Sequence, residues 1–163
     1  MAETLRVSGK HFEQSSPSYG AGNDQGECVQ VLVVDDYEPF RRFVCSMLLG
    51  IQELHVVGEA EDGLDAVNKA GELRPDLVLL DIGLPRLNGI EAARRIRKLV
   101  PECQIVFLSL ESSTDVIAEA LQLGALSYIV KENIGSELRP VVETVILEKL
   151  LVRKKVRKAG CAN

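Results

Sequence analysis

Histidine and cysteine are scarce in this chain, and their positions exclude several kinds of active site. The two histidines, His11 and His55, are too isolated to suggest a metal site or a catalytic triad. The four cysteines form no CxxC or Cys/His metal pattern, so we expect free thiols in a reducing compartment. Zinc chemistry and a disulfide framework are therefore not predicted.

Long apolar runs are also missing. No stretch is long enough to span a bilayer, and residues 1–6 contain an early acid without an apolar segment, which excludes a secretory signal. Hydrophobic residues make up 46% and charged residues 26% of the 163 positions, a balance typical of one globular domain. We therefore predict a cytoplasmic protein without membrane contact.

Charge is distributed unevenly along the chain. Residues 151–163 hold five basic residues and no acid, a charge of +5 against −5 for the whole chain, so residues 1–150 carry −10. Residues 1–28 are rich in Ser and Gly and lack a helical period, which predicts a disordered N-terminal extension. The expected organisation is this extension, one domain over 29–150, and a basic tail or truncated linker over 151–163.

Short apolar runs alternate with helical patterns between residues 29 and 150. Strands are predicted at 29–34, 55–60, 77–80, 105–108 and 127–130. The run before Asp81 shows no polar alternation, which indicates a strand buried on both faces of a parallel sheet. Five strands alternating with five helices predict an α/β, doubly wound, flavodoxin-like sheet. Strand order 2-1-3-4-5 is favoured because it places strands one and three together at the switch point.

Two details of the helices are also predicted. The third helix is expected to bury Leu99 with the rest of its apolar face. The last helix is expected to begin near Ser136, whose hydroxyl would serve as its N-cap.

Hydrophilic residues follow four of the predicted strands. They are Asp35 and Asp36 after the first, Asp81 after the third, Ser109 after the fourth and Lys131 after the fifth. Each has an ordinary explanation alone, as a cap, a turn hydroxyl or a solvated charge. Together they converge at one edge of the sheet, where oxygen ligands suit Mg²⁺ and a lysine suits phosphate. The set predicts phosphoryl transfer to an aspartate.

The segments that carry these residues resemble a known family. They read VLVVDD at 31–36, LLDIGLP at 79–85 followed by NG at 88–89, FLS at 107–109, GA at 124–125 and YIVK at 128–131. On them, residues 29–150 resemble a CheY-like receiver domain of a bacterial two-component response regulator. The third and fifth strand regions are most similar to the NarL/FixJ subfamily.

The resemblance implies a role for each residue of the predicted phosphorylation site. Asp81 matches the phosphoacceptor. Asp35 and Asp36 match the acid pair that holds Mg²⁺ together with Asp81, and the backbone carbonyl of Gly83 is implied as a further ligand. Lys131 matches the lysine that pairs with the phosphoryl group.

Other residues are implied in switching and in water access. Ser109 matches the switch hydroxyl, and Tyr128 matches the aromatic side chain that changes rotamer on activation. Gly83 and Glu111 are expected to flank the approach of the hydrolytic water. Leu110 departs from the family, which usually has a small residue there, and its bulk is expected to narrow that approach.

The resemblance also implies partners and output. A sensor histidine kinase is the expected phosphodonor, with small phosphodonors as substitutes, and the protein would switch and hydrolyse its own phosphate rather than act as a conventional enzyme. The surface of helix four, strand five and helix five is expected to control an output, with a homodimer as one form of it. Transcriptional regulation would require a helix-turn-helix domain, and DNA contact is expected only through such a domain, which these 163 residues do not contain.

Two other functions are compatible with parts of the pattern. Phosphatases of the haloacid dehalogenase type also use a nucleophilic aspartate, but they have the motif Asp-x-Asp there. This chain has Gly83 at the position of the second aspartate. A phosphorylation-independent adaptor on a receiver fold is the second alternative. Such adaptors tend to lose the acid pair or the lysine, and this chain keeps both.

Overall fold

The computed structural model describes residues 28–160, with side chains described as far as Val156. The strands are β1 (Val29–Val34), β2 (Leu54–Ala60), β3 (Leu77–Asp81), β4 (Gln104–Ser109) and β5 (Ser127–Val130). The helices are α1 (Glu38–Leu48), α2 (Gly63–Leu73), α3 (Gly89–Leu99), α4 (Thr114–Gln122) and α5 (Ile134–Gly160), with a 3-10 turn at Lys131–Asn133. The predicted disordered extension over 1–28 lies, except for Cys28, outside the described residues.

The five strands form one parallel sheet in the order β2-β1-β3-β4-β5, which confirms the predicted topology. In the pairing of β1 with β3, Val34 lies opposite Leu80, and in the pairing of β3 with β4, Asp81 lies opposite Leu108. The C-terminal ends of these three strands therefore meet at one edge, as parallel pairing requires. Strand order thus brings the residues at the C-terminal ends of β1, β3 and β4 side by side.

Apolar side chains fill a separate core on each face of the sheet. Alternate residues of β3 point to opposite faces, so that Val78 and Leu80 pack on one side while Leu77 and Leu79 pack on the other. The first core is closed by α2, α3 and α4, and the second by α1 and α5. Burial on both faces explains why the β3 sequence shows no polar alternation.

Leu99 is the exception on α3. It is 49% exposed, so the prediction that it is buried was wrong. Ile96 and Val100 fill the positions that face the core, whereas Leu99 lies at the rim of the apolar face. A Cβ added at Gly71 of α2 would lie 3.7 Å from the Cδ1 atom of Leu99, so the Leu99 side chain borders α2 rather than the sheet.

Helix α5 differs from its prediction at its start. It begins at Ile134 directly after the 3-10 turn, and the Ile134 backbone N–H donates to the Lys131 carbonyl. Ser136 lies inside the first turn and donates its hydroxyl to the Asn133 carbonyl at 3.1 Å, so the predicted N-cap was wrong. A helix that continues from a 3-10 turn has no extended residue at which a side chain could cap it.

The same helix continues past residue 150 to Gly160 without a break. The boundary predicted there from charge composition thus falls inside a helix. Lys149 fixes the middle of α5 to the edge of the sheet where β1 and β3 begin. Its ammonium donates to the Cys28 carbonyl at 2.8 Å and pairs with Asp76. Within residues 28–160, α5 included, no helix is both long and apolar enough to cross a membrane.

Candidate phosphoacceptor and metal site

Three carboxylates meet where β1 and β3 end. Asp81 is the last residue of β3, and Asp35 follows β1, where its backbone N–H donates to the Ala60 carbonyl at 3.1 Å. Asp35 and Asp81 are buried and Asp36 is exposed. Each of the three offers an oxygen within 4.8 Å of the others. Parallel pairing of β1 with β3 therefore brings together the acids that the sequence predicted to converge.

Lys131, which directly follows β5, completes this cluster. Its ammonium nitrogen lies 2.6 Å from Asp35 Oδ2 and 3.3 Å from Asp81 Oδ1. It also lies 4.5 Å from the centroid of the Phe40 ring, which forms one wall of the site. Nothing in the sequence spacing indicated that Phe40 borders the lysine.

Burial raises the pKa of the Asp81 carboxyl above its ordinary value. The positive charge of Lys131 lowers this pKa, the negative charge of Asp35 raises it, and burial outweighs the rest. The ionised form of Asp81 is thus disfavoured when Lys131 is the neighbouring cation. A second cation among the three acids would favour the ionised form, so the donor set fits a hard divalent ion such as Mg²⁺.

Ser109 and Tyr128 both contact the backbone of Glu111. Ser109 ends β4, is buried, and accepts the Glu111 backbone N–H at its hydroxyl oxygen at 3.1 Å. The Tyr128 hydroxyl donates to the Glu111 carbonyl at 2.7 Å, and its ring packs against Phe107 with a centroid distance of 6.4 Å. One residue of the β4–α4 loop is therefore held from both sides by the two predicted switch residues.

Glu111 and Leu110 both border the cleft that contains Asp81. The Glu111 carboxylate accepts the backbone N–H groups of Ser112 and Ser113 at 3.1 and 2.9 Å, within its own loop. Leu110 lines the cleft above Asp81 but is 77% exposed, so it forms part of the rim rather than a cover. Their predicted roles in water access stay predictions.

The loop from Asp81 to α3 depends on a glycine. A Cβ added at Gly89 would lie 2.0 Å from the Asp81 carbonyl oxygen, so only glycine fits beneath the backbone of Asp81. The preceding Asn88 caps α3 by accepting the Glu91 backbone N–H at 2.9 Å. Gly83 borders the same cleft as Asp81. The close approach at Gly89 was missed because spacing alone does not reveal it.

A doubly wound sheet with acids, a hydroxyl and a lysine at one edge is the arrangement typical of a receiver-type domain. The family model described as response regulator receiver domain matches residues 31–143. The chain belongs to that family, and the predicted similarity to its NarL/FixJ members is confirmed.

Individual relatives agree with this assignment. The response regulator VraR of Staphylococcus epidermidis is 35% identical over 135 residues, which cover 79% of this chain and 65% of VraR. The signal receiver domain of the regulator NarL from Mycobacterium tuberculosis is 30% identical with a TM-score of 0.67, covering 76% of this chain and 97% of that one. A chain in the crystal structure of a CheX–CheY–BeF₃–Mg²⁺ complex from Borrelia burgdorferi is 25% identical with a TM-score of 0.64. The match covers 71% of this chain and 87% of that one. The chain thus spans about two thirds of the length of VraR.

Proposed function

We propose that the protein is a phosphorylation-driven switch in which Asp81 accepts a phosphoryl group from a phosphohistidine of a sensor histidine kinase. The observation that carries the proposal is the contact of one ammonium, that of Lys131, with both Asp35 and Asp81. Small phosphodonors such as acetyl phosphate would serve the same site, because the residues that receive the phosphoryl group belong to this chain. Such a reaction would take place in the cytoplasm.

The metal of the proposed site is Mg²⁺, held by Asp35, Asp36 and Asp81 with the backbone carbonyl of Gly83. The oxygen-only donor set and the cluster of carboxylate atoms within 4.8 Å support this choice. When bound, the ion would neutralise negative charge on the transferring phosphoryl group. The relative from Borrelia burgdorferi, whose complex contains BeF₃ and Mg²⁺, adds support by similarity.

The chemical step uses the carboxylate of Asp81 as the nucleophile. A carboxylate oxygen forms a bond to phosphorus while the bond from phosphorus to the histidine nitrogen breaks, and the electron pair of that bond stays on the imidazole. Lys131 pairs with an oxygen of the transferred group. Hydrolysis later reverses the modification, when water attacks phosphorus and the Asp81 carboxylate leaves.

The switch would begin at the backbone of Glu111. Ser109 can donate its hydroxyl to a phosphoryl oxygen on Asp81, which would draw the hydroxyl away from the Glu111 N–H that it now accepts. The β4–α4 loop would then shift, and the Tyr128 hydroxyl, which is bonded to the same residue, would move with it. This coupling would bias the face formed by α4, β5 and α5 between two states.

That face is the proposed output surface. It could control a homodimer, and in a longer protein it could control transcription through an attached helix-turn-helix domain. Any contact with DNA would be made by that further domain.

Beryllofluoride binding in the presence of Mg²⁺ tests the proposal, since this ion mimics a phosphoryl group on a carboxylate. Calorimetry should detect saturable binding to the wild-type protein, dependent on Mg²⁺, and none to Asp81→Asn. Asp115→Asn is the matched control, because Asp115 lies exposed in the first turn of α4. Binding retained by Asp81→Asn would contradict the phosphoacceptor assignment. Absent binding to the wild type would favour the adaptor alternative.

A further inference from the structure

Arg86, five positions after the phosphoacceptor, forms an ion pair with Asp62 at the start of α2. The backbone of Arg86 is left-handed, with φ of 63°. A residue with a Cβ adopts this conformation at a cost, and glycine or asparagine would adopt it more readily. The ion pair with the buried Asp62 carboxylate is a contact that can offset this cost.

Asp62 divides its two carboxylate oxygens between two elements. Oδ1 accepts the backbone N–H groups of Leu64 and Asp65, each at 2.9 Å, and so caps α2. Oδ2 accepts a hydrogen bond from Arg86 Nη2. The Asp62 side chain is buried while Arg86 is exposed, so the loop after β3 reaches over a carboxylate that the fold has already fixed. The bond from Arg86 also holds the pKa of the Asp62 carboxyl below its usual value.

The backbones of the two loops touch at the same place. A Cβ added at Gly63 would lie 1.9 Å from the Leu87 carbonyl oxygen. At the other end of the loop, Gly89 lies directly beneath the Asp81 carbonyl. The segment from Asp81 to Gly89 is thus fixed at its end by close packing and near its middle by Arg86. Gly83, the proposed backbone ligand of Mg²⁺, lies between Asp81 and Arg86 in this segment.

We propose that Arg86 is a positioning residue, whose ion pair with Asp62 fixes the loop after Asp81 and thereby sets the affinity of the site for Mg²⁺. This inference rests on the proposed function, because it assumes that Asp81 and Gly83 take part in a metal site. Residues that orient metal ligands without touching the metal commonly change affinity by 10- to 100-fold when replaced. Because Arg86 acts through the backbone, a loss of about tenfold is expected.

The sign of the effect separates positioning from simple electrostatics. Arg86 carries a positive charge, so its removal would by charge alone strengthen the binding of a cation. Loss of the positioning contact would weaken binding instead. Removal of the Asp62 charge should weaken Mg²⁺ binding under either explanation. Only the replacement of Arg86 therefore distinguishes the two explanations.

The test is calorimetric titration of Mg²⁺ alone into the full chain and its variants. Arg86→Asn keeps a residue that tolerates the left-handed backbone and removes the guanidinium. Asp62→Asn keeps the helix cap, because asparagine caps as well as aspartate. Each is expected to bind Mg²⁺ about tenfold more weakly, and the double variant no more weakly than either. Arg86→Lys keeps the positive charge but lacks the planar guanidinium with its several N–H donors. It should bind Mg²⁺ more tightly than Arg86→Asn and less tightly than the wild type.

Arg74→Asn is the matched control. Arg74 also has a left-handed backbone, with φ of 45°, and pairs with a carboxylate, Glu102, at 2.8 Å. It precedes β3 rather than following it, and therefore lies at the opposite edge of the sheet. Its variant should bind Mg²⁺ as the wild type does.

The outcomes separate this inference from the function on which it rests. Unchanged or tighter binding in Arg86→Asn, with Mg²⁺ binding by the wild type and its loss in Asp36→Ala, would overturn the positioning role alone. Absence of Mg²⁺ binding by the wild type would overturn both. Equal weakening in Arg74→Asn would also overturn the positioning role, because it would trace the effect to stability.

Discussion

The ammonium nitrogen of Lys131 lies 2.6 Å from Asp35, whereas it lies 3.3 Å from Asp81. The lysine is thus engaged mainly with an acid proposed to hold Mg²⁺. A cation bound by Asp35 would compete for the same oxygens and favour movement of Lys131 towards a phosphoryl group on Asp81. Lys131 would in this way occupy the acid cluster before metal and phosphate arrive.

Replacement of Lys131 should therefore strengthen metal binding while it weakens the switch. Lys131→Met keeps an apolar chain beside Phe40 and removes the charge. Two unit charges about 4 Å apart repel by ~1 kcal/mol even in water, so Mg²⁺ affinity should rise about fivefold or more. Calorimetry with Mg²⁺ measures this, and Lys98→Met, at an exposed lysine of α3, is the control. Weaker binding in Lys131→Met would contradict the competition.

Asp36 should contribute to metal binding without contributing to the core. It is exposed, unlike Asp35 and Asp81, so Asp36→Ala should leave the metal-free melting temperature nearly unchanged. In the wild type, saturation at about 100 times Kd would add about 2.7 kcal/mol to the free energy of unfolding. Thermal denaturation with and without Mg²⁺ should show that Asp36→Ala loses most of this gain. An equal gain in both proteins would place the metal elsewhere.

The raised pKa of Asp81 predicts how stability depends on pH without metal. Because the folded-state pKa is above the ordinary 3.8, this group favours the folded state most at acidic pH, and its contribution is lost as pH rises through the folded-state pKa. Asp81→Asn removes that loss. In EDTA, Asp81→Asn should melt above the wild type at about pH 7, and the difference should shrink at about pH 4.

Mg²⁺ provides the internal check on this effect. It should stabilise the wild type more than Asp81→Asn and so narrow the difference at neutral pH. A wild type that melts above Asp81→Asn in EDTA at neutral pH would show that Lys131 outweighs burial.

Leu110 is predicted to prolong the lifetime of the phosphoprotein. Its side chain stands at the rim of the cleft and is 77% exposed, so its influence on the attacking water is expected to be partial. Misplacement of a reactant by about 1 Å costs ~100-fold, and a rim residue should have a smaller effect, so Leu110→Ala should shorten the lifetime by about three- to tenfold. Decay of purified phosphoprotein in saturating Mg²⁺ measures it.

Leu147→Ala is the control for that measurement, because Leu147 is an exposed leucine of α5. Its phosphoprotein should decay at the wild-type rate. An unchanged or slower decay in Leu110→Ala would remove Leu110 from the account of hydrolysis and leave the rest of the site intact.

Much of the fold could be predicted because its signals are local. The continuous apolar run before Asp81 and the acids after Val34 identify two central strands. Parallel pairing of these strands then brings their C-terminal ends together. The end of α5 was harder to predict. Its basic residues indicated a tail by charge, although lysine and arginine are good helix formers and α5 continues through them to Gly160.

Contacts between distant residues could not be predicted. The pairing of Arg86 with Asp62 depends on the left-handed backbone at Arg86, which has no local sequence signal, as well as on the position of Asp62 at the start of α2. The same holds for the Tyr128 hydroxyl, whose bond to the Glu111 carbonyl depends on how far the β4–α4 loop folds back over β5. Residue types at strand ends were predictable, but their hydrogen-bond partners required the packed structure.

The most direct test of the central claim is the intact mass of the protein after incubation with acetyl phosphate and Mg²⁺, followed by peptide mapping. The wild type should gain the mass of one phosphoryl group, located on Asp81, and lose it again when the donor is removed. Asp81→Asn should gain none, while Asp115→Asn should behave as the wild type. A phosphoryl group on any other residue, or equal modification of Asp81→Asn, would contradict the assignment of Asp81 as the phosphoacceptor.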